Sequence, residues 1–197
     1  MKYMNRIAGV MLTIFLFVTA YSNGGQIKEI SHIGPGAFKK YTGTYVGNNS
    51  DVFAIVKNLP GGETVQSINL KNEKIAVKYG EKKNGDLTED IIDTYWFDGK
   101  DTMKKNFLFN AIYLAILVPN AKGYEFQVEN QNFELKREEL LSILYKEFND
   151  FPKGDQIWNK GNVMNFFYGN QEKIEKLVNN KDFRKQFFDE HPVRESK

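Results

Sequence analysis

The sequence predicts an α+β fold, in which a small antiparallel sheet packs on a central apolar helix and additional short C-terminal helices close the domain. Three observations predict it. Phe107 to Val118 is the most apolar run downstream of the N-terminal segment. After a Pro119 to Gly123 break, Tyr124, Phe126 and Val128 alternate with Glu125, Gln127 and Glu129, the period of a half-buried strand. The order of elements along the chain, helix, strands, helix, strands, helices, is that of an α+β domain. At 197 residues the chain supports one globular domain, placed at residues 41–190.

The central run leaves almost no polar face, so it is either a core helix or a membrane span. Its dozen or so residues fall short of the roughly 20 that a bilayer requires. Asn110 interrupts it, and Lys104 and Lys105 precede it. A core helix is the reading, with Asn110 satisfied by a backbone or side-chain partner.

Met1 to Ala20 reads as an export signal. Lys2 and Arg6 form a positive start, Ile7 to Ala20 is apolar or small, and Val18-Thr19-Ala20 offers a cleavage site. An uncleaved N-terminal membrane anchor is the alternative. Removing Lys2 and Arg6 takes the formal charge from +2 to 0, because every Asp and Glu lies downstream. A neutral domain lacks the electrostatic footprint of nucleic-acid binding. Cysteine is absent, so an exported domain relies on its core without disulfides.

Residues 21–40, with Gly34-Pro35-Gly36, read as a flexible tether. In such a tether Ser31 and His32 cannot be held as nucleophile and base. In YTGTYVGNNSDV an extended piece leads to a helix N-cap at Asn49 or Ser50. Val52, Ile55, Val56 and Leu59 then form one stripe, ended by Pro60-Gly61-Gly62. Two strands follow, Thr64 to Leu70 and Ile75 to Tyr79, joined by a turn at Lys71 to Lys74. Ile91 to Phe97 is rich in β-formers and reads as a third strand or a loop with an aromatic plug. Asp101 or Thr102 caps the central helix. Phe133 and Leu135 start another strand, and Arg137 to Phe148 is an amphipathic helix. Beyond Gly154 come short helices anchored by Ile157, Trp158, Phe166 and Phe167, with Asn170 and Asp182 as N-caps. Residues 191–197 read as a disordered tail.

YVGNNSDV with its short helix ending in Leu-Pro, FNAIYLAILVPNAKGYEFQV, and REELLSILYKEF together resemble the family called domain of unknown function 4825. The resemblance covers Tyr41 to Phe148. It implies an exported, envelope-associated domain without an established activity, since members are often lipoproteins or are fused to membrane sensors of antibiotic response. This chain departs from the lipoprotein pattern, because Tyr21-Ser22 stands where a modifiable Cys is expected.

No motif carries chemistry. His32 and His191 are the two histidines, too few and too separated for a metal site without Cys. Asp86, Glu89, Asp90 and Asp93 lack the spacing of a calcium loop. There is no Gly-x-Ser-x-Gly, and neither glycine-rich stretch continues to Lys-Ser/Thr. No metal and no cofactor is implied. Aromatic residues make up 14% of the chain. Tyr45, Tyr95, Trp96, Trp158 and Tyr168 can either form a recognition surface or enrich the core. The candidate binding residues are Tyr45, Gly47, Asn48, Tyr95 and Trp96. The expected function is that of a non-enzymatic exported module, binding or sensory, at the outer face of the cytoplasmic membrane. Its partner would be an unknown envelope protein or ligand. The alternatives are a carboxylate-dependent envelope hydrolase, with two carboxyl groups facing across a groove, and a secreted protein inhibitor.

Overall fold

The computed structural model describes residues 26–82 and 85–196. Expectations for residues 1–25, the export signal among them, lie outside the described residues. The elements are α1 (Asn49–Asn58), β1 (Val65–Asn69), β2 (Lys74–Tyr79), α2 (Glu89–Trp96), α3 (Thr102–Leu117), β3 (Gly123–Val128), β4 (Gln131–Lys136), α4 (Arg137–Glu147), α5 (Lys160–Asn179), α6 (Lys181–Glu190) and β5 (Arg194–Glu195). The fold is α+β, as the element order predicts.

The strands lie in the order β1-β2-β3-β4-β5. The sheet is mixed rather than antiparallel, because β2 and β3 run parallel, with Val77 beside Phe126. The connection between them passes through α2 and α3, and a helical crossover returns a strand parallel to the one it left. Phe126 in turn faces Phe133 across the antiparallel β3–β4 pair. Period-2 alternation gives the sheet one buried face (Ile75, Val77, Tyr79, Tyr124, Phe126, Val128, Phe133, Leu135). The other face is polar, and there Lys74 pairs with Glu125 at 3.5 Å and Glu134 at 2.5 Å.

Helix α3 lies on the buried face, and every residue from Asn106 to Leu117 is buried. A helix apolar on all sides needs cover all round. The sheet provides one side; α2, α4, α5 and α6 contact the others. Asn110 donates its amide to Pro60 O and Tyr79 Oη, both at 3.1 Å, which ties the helix to the turn after α1 and to β2.

The N-terminus of α3 is held from further upstream than the sequence predicts. Asp101 adopts a left-handed conformation and makes no cap bond. Its carboxylate instead pairs with buried Arg184 at 3.2 Å. Asp98 holds the turn, accepting from Lys100 N at 2.8 Å and Thr102 Oγ1 at 2.7 Å. Partial burial raises its pKa, but the bonds from Thr102 and Lys100 outweigh burial and leave it below the ordinary 3.8. A depressed folded pKa stabilises the fold above the unfolded value and loses that contribution as pH falls through the folded one. Asp98→Asn should therefore lower stability by about 1 kcal/mol at neutral pH, a figure already reduced for solvent screening. The gap to wild type, read by urea unfolding, should close as the solution is acidified below pH 3.8.

Five further expectations are corrected. From Gln26 onward the expected tether packs on the domain, with Ile27, Ile30, Ile33 and Phe38 buried. Two 3-10 helices, Ile30–His32 and Pro35–Tyr41, carry much of it, and three residues per turn aligns apolar side chains spaced by three. Residues 89–96 form helix α2 instead of the expected strand or loop, with Glu89 and Asp90 in its first turn. Asn170 caps nothing; it is buried within the 20-residue α5, donating to Asp150 Oδ2 at 2.7 Å. Asn180, rather than Asp182, caps α6. The expected disordered tail pairs with the sheet through β5, and Ser196 N donates to Asn130 O at 2.7 Å. Among the described residues no helix is long and apolar enough to cross a membrane.

Candidate functional site

The stretch Tyr41 to Asp51 forms a loop and helix cap stitched to the end of α3. Thr44 N donates to Leu117 O at 3.0 Å, and Val46 N to Asn120 Oδ1 at 2.9 Å. Val46 points inward and is buried, so Tyr45 before it is turned outward, 62% exposed. Asn48, one residue before the expected cap positions, closes α1: its Oδ1 accepts from Asp51 N at 3.2 Å and its Nδ2 donates to Asp51 Oδ2 at 2.7 Å. A Cβ at Gly47 would meet nothing within 4 Å, so local packing does not require glycine there.

Tyr45 packs on Trp158 with the rings tilted by 35° and their centroids 4.8 Å apart. Trp158 is 37% exposed, and its backbone and ring lie against Gly43, whose φ of +75° makes the turn. Just past the cap, a groove of about 810 Å³ opens between α1 and β1, lined by Asn49, Phe53, Ser67, Ile68, Asn69, Leu70 and Lys71. The lining holds no carboxylate. Phe53 is 51% exposed, off the stripe that buries Val52, Ile55 and Val56. β1 ends the strand order, and among the described residues nothing pairs with its outer side.

The five candidate residues divide between two places. Tyr45, Gly47 and Asn48 share the exposed loop, whereas Tyr95 and Trp96 belong to the interior. Trp96 is 1% exposed, donates Nε1–H to Thr64 Oγ1 at 3.1 Å and packs on Tyr79. Tyr95 is half-buried. Its hydroxyl donates to Lys28 O at 2.6 Å and accepts from Asn106 Nδ2 at 2.9 Å, while burial pushes its pKa well up. Tyr168 is exposed on α5, with its hydroxyl beside Gly36. Phe53 was missed; its displacement from the α1 stripe was the available signal, since a large apolar residue off the stripe of a surface helix faces outward.

The acidic side chains build no catalytic pair in the groove. Glu129 lies against Asp93, and the contact with that carboxyl raises the Glu129 pKa, but neither residue lines the groove. Among the described residues no group of three or more His, Asp or Glu side chains is placed to hold a metal ion.

Fold and site define a small α+β domain with a one-faced sheet and an open groove against its edge. The chain belongs to the family described as a domain of unknown function, DUF4825, whose model matches residues 38–139, just over half of the chain. The match ends in the first turn of α4, so α5 and α6, which bring Phe167, Phe187 and Phe188 into the core, lie beyond it. No curated protein and no solved structure matches the chain.

Proposed function

We propose that the chain is an exported, non-enzymatic binding module, held near the outer face of the cytoplasmic membrane by its N-terminal segment, that takes up an extended stretch of an envelope partner protein along β1. The groove beside an open strand edge carries the reading. Edge strands are ordinarily blunted by charge, proline or a bulge. The β1 sequence VQSIN has neither charge nor proline, and its irregularity lies between Val65 and Ser67, leaving Ser67 to Asn69 regular. Such an edge offers backbone hydrogen bonds to an added strand, while neighbouring apolar side chains select its residues. Phe53, Ile68 and Leu70 supply that apolar floor, and the Tyr45–Trp158 pair stands at the same end of α1. Export is supported by the charged start and apolar run of residues 1–20.

The test is capture from detergent-solubilised membranes by the full chain, compared with a Tyr45→Ala/Trp158→Ala variant and with Phe53→Ala. An aromatic anchor at an interface contributes about 2 kcal/mol, roughly thirtyfold in affinity. The variants should lose a specific partner by that factor while unfolding at the same urea concentration as wild type. Captures that return nothing above background, or a partner retained equally by all three proteins, would overturn the reading. Fractionation with N-terminal sequencing checks export separately.

A further inference from the structure

At the C-terminal end of α1, four charged side chains from four segments converge. Lys28 comes from the N-terminal extended stretch, Lys57 from the last turn of α1, Glu63 from the turn before β1, and Lys82 from just after β2. Lys28 is fixed through its backbone: its carbonyl accepts from Gly61 N at 3.1 Å and Tyr95 Oη at 2.6 Å, and its N–H donates to Glu63 Oε2 at 2.9 Å. The Lys28 ammonium occupies Glu63 Oε1 and lies 3.4 Å from Lys57 O. Both oxygens of the single carboxylate are therefore committed to Lys28. Lys82 is left with the Glu63 backbone carbonyl at 2.6 Å, and Lys57 stands against Lys82.

We infer that Lys28, Lys57 and Lys82 form a receptor for a phosphate-type anion, either free phosphate or the phosphate of a lipid headgroup. Three ammonium groups gather around one carboxylate, whose two oxygens are held by the N–H and the ammonium of Lys28. Partial burial pushes the Lys57 pKa down to about 8 and the neighbouring Lys82 adds to the shift, since burial and a nearby like charge both disfavour a cation. A phosphate oxygen pair between Lys57 and Lys82 would replace that repulsion by charge-assisted hydrogen bonds. Helix C-termini do attract cations, which accounts for one lysine at the end of α1. It does not account for two more converging there from outside the helix.

The experiment is competitive acylation of lysines in the full chain in neutral-detergent micelles, read by peptide mass spectrometry. Inorganic phosphate is compared with chloride at equal ionic strength. A second arm uses the chain reconstituted in phosphatidylcholine vesicles with and without phosphatidylglycerol. An anion that raises the Lys57 pKa by one unit slows its acylation about tenfold at neutral pH. That slowing is expected in at least one arm, with exposed Lys146 unchanged. Protection by free phosphate assigns a soluble anion, and protection only by phosphatidylglycerol assigns a headgroup. Lys82→Gln should slow Lys57 acylation without any added anion and remove the further protection. Equal Lys57 rates in all four conditions would overturn the proposal, as would anion protection unchanged in Lys82→Gln. Neither result bears on partner capture at β1, which leaves the two readings separable.

Discussion

Phe107→Ala should destabilise the protein by about 3–5 kcal/mol, a large part of the roughly 5–15 kcal/mol that holds a domain folded. The ring is fully buried on α3. It stands 5.5 Å from Phe126, 5.9 Å from Phe133, 5.8 Å from Trp96 and 6.4 Å from Tyr79. Those four rings come from β3, β4, α2 and β2, so truncation opens a cavity where the central helix meets the sheet. No single neighbour can collapse into it, because each is held by its own strand or helix. Urea unfolding of wild type, Phe107→Ala and Phe107→Leu measures the effect, and the leucine variant should recover most of the loss. A cost below about 1.5 kcal/mol for the alanine variant would mean that α3 does not seat on the sheet as described.

That central packing was the most legible part of the fold. An apolar run interrupted by Asn110 and too short for a bilayer, followed by a strand of clean alternation, has few other solutions, and the family motif lay across it. What eluded the sequence depended on contacts distant along the chain. Ile91 to Trp96 has strand-like composition, and its helix is settled by the start signal at Thr88 to Asp90 and by burial of Trp96 against Tyr79. The parallel β2–β3 pairing follows from that helix, since it turns a hairpin into a crossover. Ile27, Ile30 and Ile33 already carried a three-residue period, but the glycines and proline that flank them resemble a linker. The aromatic residues show the limit most plainly. Tyr45 and Tyr95 are the same residue type; one is presented by a surface loop, and the hydroxyl of the other is occupied by Lys28 and Asn106. Nothing local to either tyrosine separates them. The cluster of Lys28, Lys57, Glu63 and Lys82 was invisible for the same reason, being assembled from four segments.

The turn Pro60-Gly61-Gly62 joins these long-range contacts, and Gly61→Ala and Gly62→Ala should each destabilise the protein more than any other glycine substitution in the domain. Gly61 has φ +76°, a region that costs a residue bearing Cβ about 1–2 kcal/mol. A Cβ there would also lie 2.7 Å from Trp96 Cη2, a ring held in place by Thr64 and Tyr79. At Gly62 the obstacle is backbone: a Cβ would stand 2.5 Å from Lys57 O and 2.9 Å from Val56 O, the last carbonyls of α1. Overpacking of this kind costs about 1–3 kcal/mol, and backbone cannot rotate away as a side chain can. Because Pro60 O accepts from Asn110 and Gly61 N donates to Lys28 O, a shift in the turn is transmitted to the central helix and to the N-terminal segment together. Gly47→Ala, in open space, is the control and should unfold like wild type. Circular dichroism melts of the three variants decide the matter. Melts for Gly61→Ala and Gly62→Ala superimposable on that of Gly47→Ala would show that the turn does not bear on Trp96 and α1 as closely as the geometry states.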